Sequence, residues 1–298
     1  MILVTGGTGF IGRNVVRKLA HAGKRVRVMT RNPGKEKPLF GGLPVEMVAG
    51  SIADEASLRR AMEGVETVVN CVQLENYPME NPRKGLTFME VDGRGTERQA
   101  AAAKSAGVRE FLYMSGANTG QGRKEPWFRA KEVAEEAVKG SGLSYTIFRP
   151  SWIFGPDDRS VNRFISMAEK LPFVPLIGDG SQRVQPLYIE DMATIVSIAA
   201  GNPPATNRVF EAGGPEVFTM RGLVAQVLDV LGKNKLIVPF PVSLMRAASR
   251  FLRYVPGSGI SPEVVDFSLQ EAVVDNGPLL STFNVKLTRF QDALRSYV

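Results

Sequence analysis

Among the 298 residues there is one cysteine and one histidine. A lone Cys71 excludes an intrachain disulfide, which suits a reducing compartment. With His21 also alone, a Cys/His cluster of the zinc type is excluded, and no metal site is expected. No segment offers ~18 uninterrupted apolar residues, so no transmembrane span is expected. Met1–Thr5 has neither a charged leader nor a cleavage site before its first apolar run, which gives no support for a signal peptide. These absences point to a cytoplasmic protein, or one peripheral to a membrane. Low-complexity tracts and solenoid-period repeats are missing too.

Charge of one sign is in modest excess: 37 Lys and Arg face 30 Asp and Glu, a net charge of +7. The basic residues are spread along the chain. A ligand carrying several phosphates, a membrane surface or an acidic partner protein would each reward that excess, and so would plain solubility. No nucleic-acid-binding motif accompanies it, so no specific nucleic-acid partner is expected.

The first half alternates short apolar runs with segments of helical spacing. Strands are predicted at Ile2–Thr5, Arg25–Thr30, Val45–Val48, Thr67–Val72, Glu110–Ser115 and Tyr145–Arg149. Helices are predicted at Gly12–Ala22, Ser57–Met62, Thr96–Ala106 and Lys131–Lys139. This order predicts an α/β fold with a doubly wound parallel sheet of the Rossmann type, helices on both faces. Beyond Arg149-Pro150, proline and glycine become frequent. Residues 1–150 therefore read as a dinucleotide-binding domain. Residues 151–298 read as a smaller, loop-rich C-terminal lobe for substrate or partner, with some segments returning to the sheet.

Thr5-Gly6-Gly7-Thr8-Gly9-Phe10-Ile11-Gly12 falls between the first strand and the first helix. Gly6, Gly9 and Gly12 permit a tight turn, a close approach of backbone to a pyrophosphate, and close packing of helix on strand. The helix start presents free N–H groups and a positive dipole to the phosphates. At the end of the second strand, where an NAD site places a carboxylate for the ribose 2′-hydroxyl, the chain reads Thr30-Arg31-Asn32. Arg31 suits a 2′-phosphate, so NADP(H) is expected over NAD; the alternative is a solvated turn residue.

This glycine turn, the strand ending in Ser115, and Lys131 within a helix resemble the short-chain dehydrogenase/reductase superfamily. Phe148–Asp158 and Gly178-Asp179-Gly180 followed by Pro186–Ala193 resemble its extended and atypical branches, the NAD(P)-dependent epimerases and dehydratases. The chain is most similar to the atypical group that includes the NADPH-binding accessory subunit of respiratory complex I, with NmrA-like proteins next. The resemblance spans about residues 1–220 and continues more loosely through Ser281–Leu294. It implies further cofactor contacts from Thr8, Phe10, Ile11, Ser51, Ile52, Cys71, Val72, Gln73, Lys131, Pro150 and Ile153. It also implies a catalytic set of Ser115, Lys131 and a tyrosine four residues before the lysine.

That tyrosine is absent. Position 127 is tryptophan, whose indole N–H donates a hydrogen bond but cannot act as acid or base near neutral pH. Tyr113, two residues before Ser115 on the same strand face, is a remote substitute. Two functions stay open. One is an oxidoreductase or epimerase/dehydratase acting on a small carbonyl, quinone or sugar compound. The other is a non-catalytic cofactor-binding redox sensor, or an assembly protein of a membrane-associated complex. Asp191 is expected to cap the helix that follows it. Ser243–Tyr254 is a basic amphipathic segment. It either covers the core of its own lobe or docks on a partner protein or membrane surface.

Overall fold

The computed structural model describes residues 1–255 and 260–298. Seven strands form one parallel sheet: β1 (Ile2–Thr5), β2 (Val26–Thr30), β3 (Val45–Ala49), β4 (Thr67–Asn70), β5 (Glu110–Met114), β6 (Ser144–Pro150) and β11 (Arg208–Ala212). Their order is β11-β6-β5-β4-β1-β2-β3. The sequence order reverses between β1 and β4; β1 pairs parallel with β2 on one side and with β4 on the other, Val4 lying opposite Val28 and Val69. In open α/β sheets a ligand crevice forms at that reversal, outside the carboxyl ends of the strands.

The central strands β1 and β4 are buried along their whole length, as strands covered on both faces must be. On one face lie α1 (Phe10–His21) and α7 (Ile189–Ala199), packed through Val15, Val16, Leu19, Met192 and Val196. On the other lie α3 (Glu55–Met62), α4 (Arg94–Ser105) and α5 (Pro126–Gly140), packed through Leu58, Met62, Ala103, Ala134 and Val138. Helix α5 starts five residues earlier than its apolar spacing predicts, because Pro126 sits in the first turn, where its missing N–H does no harm. A π-helical turn at Met89–Gly93 leads into α4.

The C-terminal lobe has a core of its own around Phe154, Val174, Leu223, Val227, Phe290 and Leu294. It is threaded back into the larger layer: β11 joins the sheet beside β6, and α7 lies against α1. The expected role of Asp191 does not hold. It sits inside the first turn of α7, and its carboxylate instead accepts the N–H of Thr288 at 2.7 Å and its hydroxyl at 2.9 Å. Asp191 thus ties a segment 97 residues away onto the helix start. Burial raises its pKa, with those two hydrogen bonds acting in the opposite direction. Among the described residues, no helix is long and apolar enough to cross a membrane.

Candidate cofactor and substrate site

Because the seven strands run parallel, the segments after their carboxyl ends lie along one edge. That edge collects the loop residues singled out from the sequence: Gly6–Gly12 after β1, Arg31 after β2, Ser51-Ile52 after β3, Cys71–Gln73 after β4, Ser115 after β5 and Pro150–Ile153 at the end of β6, whereas Trp127 and Lys131 come from α5.

The glycine turn is sterically closed to side chains. Gly6 has φ +67°, and a Cβ there would lie 2.6 Å from the carbonyl of Cys71. At Gly12 a Cβ would lie 2.2 Å from the carbonyl oxygen of Gly6. Gly9 is exposed and caps α1 without a side-chain bond, so the first N–H groups of the helix remain free for an anion. This cradle fits a dinucleotide pyrophosphate. Thr8, Phe10 and Ile11 are half-buried around it. Arg13 leaves the same turn and pairs with Asp157 of the C-terminal lobe at 2.9 Å.

Arg31 is largely exposed and pairs with Glu75 at 3.2 Å. Ser51 and Ile52 are half-buried; the Ser51 N–H donates to Ser57 Oγ at 3.0 Å, and Ile52 packs over Gly95. Cys71 and Val72 are half-buried and Gln73 is exposed. Asn70 orients Val72 by accepting its N–H at 2.9 Å. Burial pushes the Cys71 thiol up to about 12, against the positive charge of Lys131. Pro150 is buried and takes the Ala117 N–H at 2.8 Å, while Ile153 pairs with Leu187.

Two positions of the implied catalytic set, Ser115 and Lys131, are drawn into other bonds. Lys131 Nζ lies 2.9 Å from the fully buried Asp92 carboxylate and donates to the Met114 carbonyl at 3.2 Å. Burial alone would pull the amine down, but Asp92 and Tyr113 hold its pKa above the ordinary value, so it stays an ammonium. Asp92 accepts the Leu74 N–H at 3.0 Å and thereby fixes the segment after β4. Ser115 donates to Glu135 at 2.8 Å, and Arg149 grips the same carboxylate with two bonds of 2.8 Å. Burial would raise the Glu135 pKa, yet Arg149, Ser115 and Lys139 together hold it below the usual range.

Trp127 is 8% exposed and belongs to an aromatic cluster with Phe88, Phe128 and Phe267. Its indole N–H has no partner among the described residues. Two tyrosines lie in this region, Tyr113 beneath the Lys131 ammonium and Tyr77 against Phe88 and Phe267. Burial pushes the Tyr113 hydroxyl up to about 12, despite Lys131, and it raises Tyr77 well above its ordinary value, helped by Asp92. Beyond Trp127 opens a cavity of about 610 Å³, walled on its far side by α9 (Val242–Leu252) and α10 (Pro262–Ser268).

Asp92 and Glu135, which hold Lys131 and Ser115, both lie outside the set of residues that the resemblance implies. Glu135 lies one helical turn beyond Lys131, a spacing that places both on one face of α5 and would have signalled it. No group of three His, Cys, Asp or Glu side chains able to hold a metal occurs among the described residues.

Residues 2–213 match the NAD dependent epimerase/dehydratase family. The chain belongs to that family. It is 31% identical over 272 residues to the mitochondrial NADH dehydrogenase [ubiquinone] 1 alpha subcomplex subunit 9 of Arabidopsis thaliana, covering 88% of this chain but 66% of that protein, slightly under two thirds. It is 33% identical over 242 residues to a (4-alkanoyl-5-oxo-2,5-dihydrofuran-3-yl)methyl phosphate reductase of Streptomyces griseus, covering 78% of this chain and 74% of the reductase. A triphenylmethane reductase of Citrobacter sp., solved with NADP(H), superposes over the whole chain and 99% of its own with a TM-score of 0.78 at 20% identity, a likeness of fold.

Proposed function

We propose that this family member binds NADP(H) across the glycine turn and is an oxidoreductase for a small carbonyl compound that lacks the tyrosine proton donor of its relatives. The glycine cradle carries the reading: a turn that tolerates no Cβ at Gly6 or Gly12, opening into a helix with unpaired N–H groups, is built for a pyrophosphate. Arg31 turns from Glu75 to the 2′-phosphate. An exposed pair of this kind is worth roughly 0–1 kcal/mol, so the exchange costs little. Ser51, Ile52, Cys71, Val72 and Gln73 flank the adenosine half, and Pro150 and Ile153 the nicotinamide half. Lys131, anchored by Asp92 and the Met114 carbonyl, keeps a further N–H for the ribose hydroxyls. The bound dinucleotide supplies hydride chemistry. The chain supplies a positive charge held at Lys131 and a buried indole donor in place of an acid.

A second reading is favoured by one observation. On α9 and just beyond it, Leu244 (57% exposed), Phe251 (77%), Tyr254 (80%) and Val255 (52%) lie in solvent beside Arg250. Such a surface fits a partner protein or a membrane face, as in a protein that assembles with a membrane-associated complex. NADPH oxidation against aldehydes, quinones and nucleotide sugars tests the first reading, with Trp127→Tyr as companion. Slow turnover that Trp127→Tyr raises at least tenfold is expected. Rapid turnover by the native protein, unchanged by the substitution, would contradict the missing-acid account.

A further inference from the structure

Asp92 joins two walls of the cofactor edge. It stands on the π-helical turn before α4, and its side chain is fully enclosed. One carboxylate oxygen accepts the Leu74 N–H at 3.0 Å, in the segment just beyond Cys71–Gln73. The other lies 2.9 Å from Lys131 Nζ and has no hydrogen-bond partner among the described residues, so the ion pair is its compensation. The other groups around Lys131 do not take over that role. Tyr113, with Nζ 5.3 Å from its ring centre, and Cys71 are kept protonated by burial, each pushed up to about 12. Tyr77, which faces Asp92, is kept neutral in the same way. Glu135, one helical turn along α5, is already gripped by Arg149, Lys139 and Ser115. The Met114 carbonyl contributes a dipole without a charge. Burial by itself works against the ammonium, whose side chain is 11% exposed, and Asp92 is the carboxylate that offsets it.

We infer that Asp92 is a positioning residue for the dinucleotide: it keeps Lys131 a charged donor, so that cofactor affinity does not follow the titration of that amine. This role rests on the proposed NADP(H) reading, which supplies the ligand. Asp92 acts only through Lys131. The substitution Asp92→Asn keeps the shape and an oxygen for the Leu74 N–H, but turns an NH2 donor towards the amine. The lone pair of a neutral lysine accepts that donor, and an ammonium has none to offer. Removing the carboxylate thus shifts Lys131 towards its neutral form, which holds ribose hydroxyls less strongly than a charged donor does.

The test is a pH profile of binding. NADP⁺ is titrated calorimetrically into the full native chain and into Asp92→Asn from about pH 6 to about pH 9.5. The ratio of dissociation constants, variant over native, cancels the titration of the 2′-phosphate itself, whose second pKa is near ~6. That ratio is expected to grow about three- to tenfold from the acid to the alkaline end, the difference between a charged and a neutral donor. A constant ratio would overturn the inference, because a merely structural aspartate weakens binding equally at every pH. If the variant does not fold, the native chain decides. Its affinity is expected to hold steady between about pH 7 and about pH 9.5, and a fall of more than about threefold there would overturn the inference. Urea midpoints of the free chain need no cofactor. The deficit of Asp92→Asn is expected to shrink as pH rises, because its folded state binds fewer protons at Lys131 than the unfolded chain does. A deficit independent of pH would contradict the hold of Asp92 on the amine. If NADP⁺ fails to bind while the deficit shrinks, the cofactor reading falls and Asp92 still sets the charge of the lysine. If NADP⁺ binds with a constant ratio, the cofactor reading stands and the role of Asp92 falls.

Discussion

Ser115 and Lys131, the two residues that the resemblance implies for a catalytic set, are each held by a buried carboxylate. The serine hydroxyl hydrogen is given to Glu135, leaving its lone pairs but not its proton for a ligand. The lysine stays an ammonium, ion-paired to a buried aspartate at 2.9 Å. Cys71 provides a direct check of this electrostatic picture. With its pKa raised to about 12 by burial, it carries almost no thiolate at pH 8. Alkylation of the folded chain by iodoacetamide at pH 8 should therefore run about a hundredfold slower or more than in denaturant. Equal rates would show that the thiol is not shielded as described. Gly12→Ala belongs at this scale as well. The new methyl would collide with the Gly6 carbonyl, and both urea stability and dinucleotide affinity should fall sharply. A variant with native stability and affinity would mean the turn is looser than it stands here.

At the scale of elements, the first half was legible in the sequence because its signals are local. Glycines 6, 9 and 12 sit between a buried strand and an amphipathic helix, and each βα unit declares itself by a change of period. Boundaries drifted where tertiary bonds decide them: β4 ends at Asn70, because the Asn70 side chain takes the Val72 N–H and turns the chain away. What stayed hidden were pairs distant in sequence, such as Lys131 with Asp92, Arg149 with Glu135, and Asp191 with Thr288. Composition and period carry no record of such partners. The same limit applies to α9, whose pattern fitted either a core cover or a docking face. Its exposed apolar side chains settle which groups meet solvent. Leu244→Ser with Phe251→Ser should accordingly change stability by no more than about 0.5 kcal/mol in urea, as for surface sites. A loss of ~2–5 kcal/mol, the range for buried large-to-small changes, would place those residues in a core.

For the molecule as a whole, the C-terminal lobe and the sheet are joined by three kinds of contact, one of them at the glycine turn. Arg13 of the glycine turn reaches Asp157, β11 pairs with β6, and α7 closes over α1. A dinucleotide filling that edge stabilises the folded chain by mass action, by about 2.7 kcal/mol at a hundredfold excess over its dissociation constant. The central claim is that the edge selects a phosphorylated dinucleotide through Arg31. Isothermal titration of the native chain and of Arg31→Ala with NADPH and NADH measures it most directly. The account predicts that the native chain binds NADPH at least tenfold more tightly than NADH, and that Arg31→Ala removes the preference with little effect on NADH. A native preference for NADH, or no binding of either dinucleotide, would contradict it.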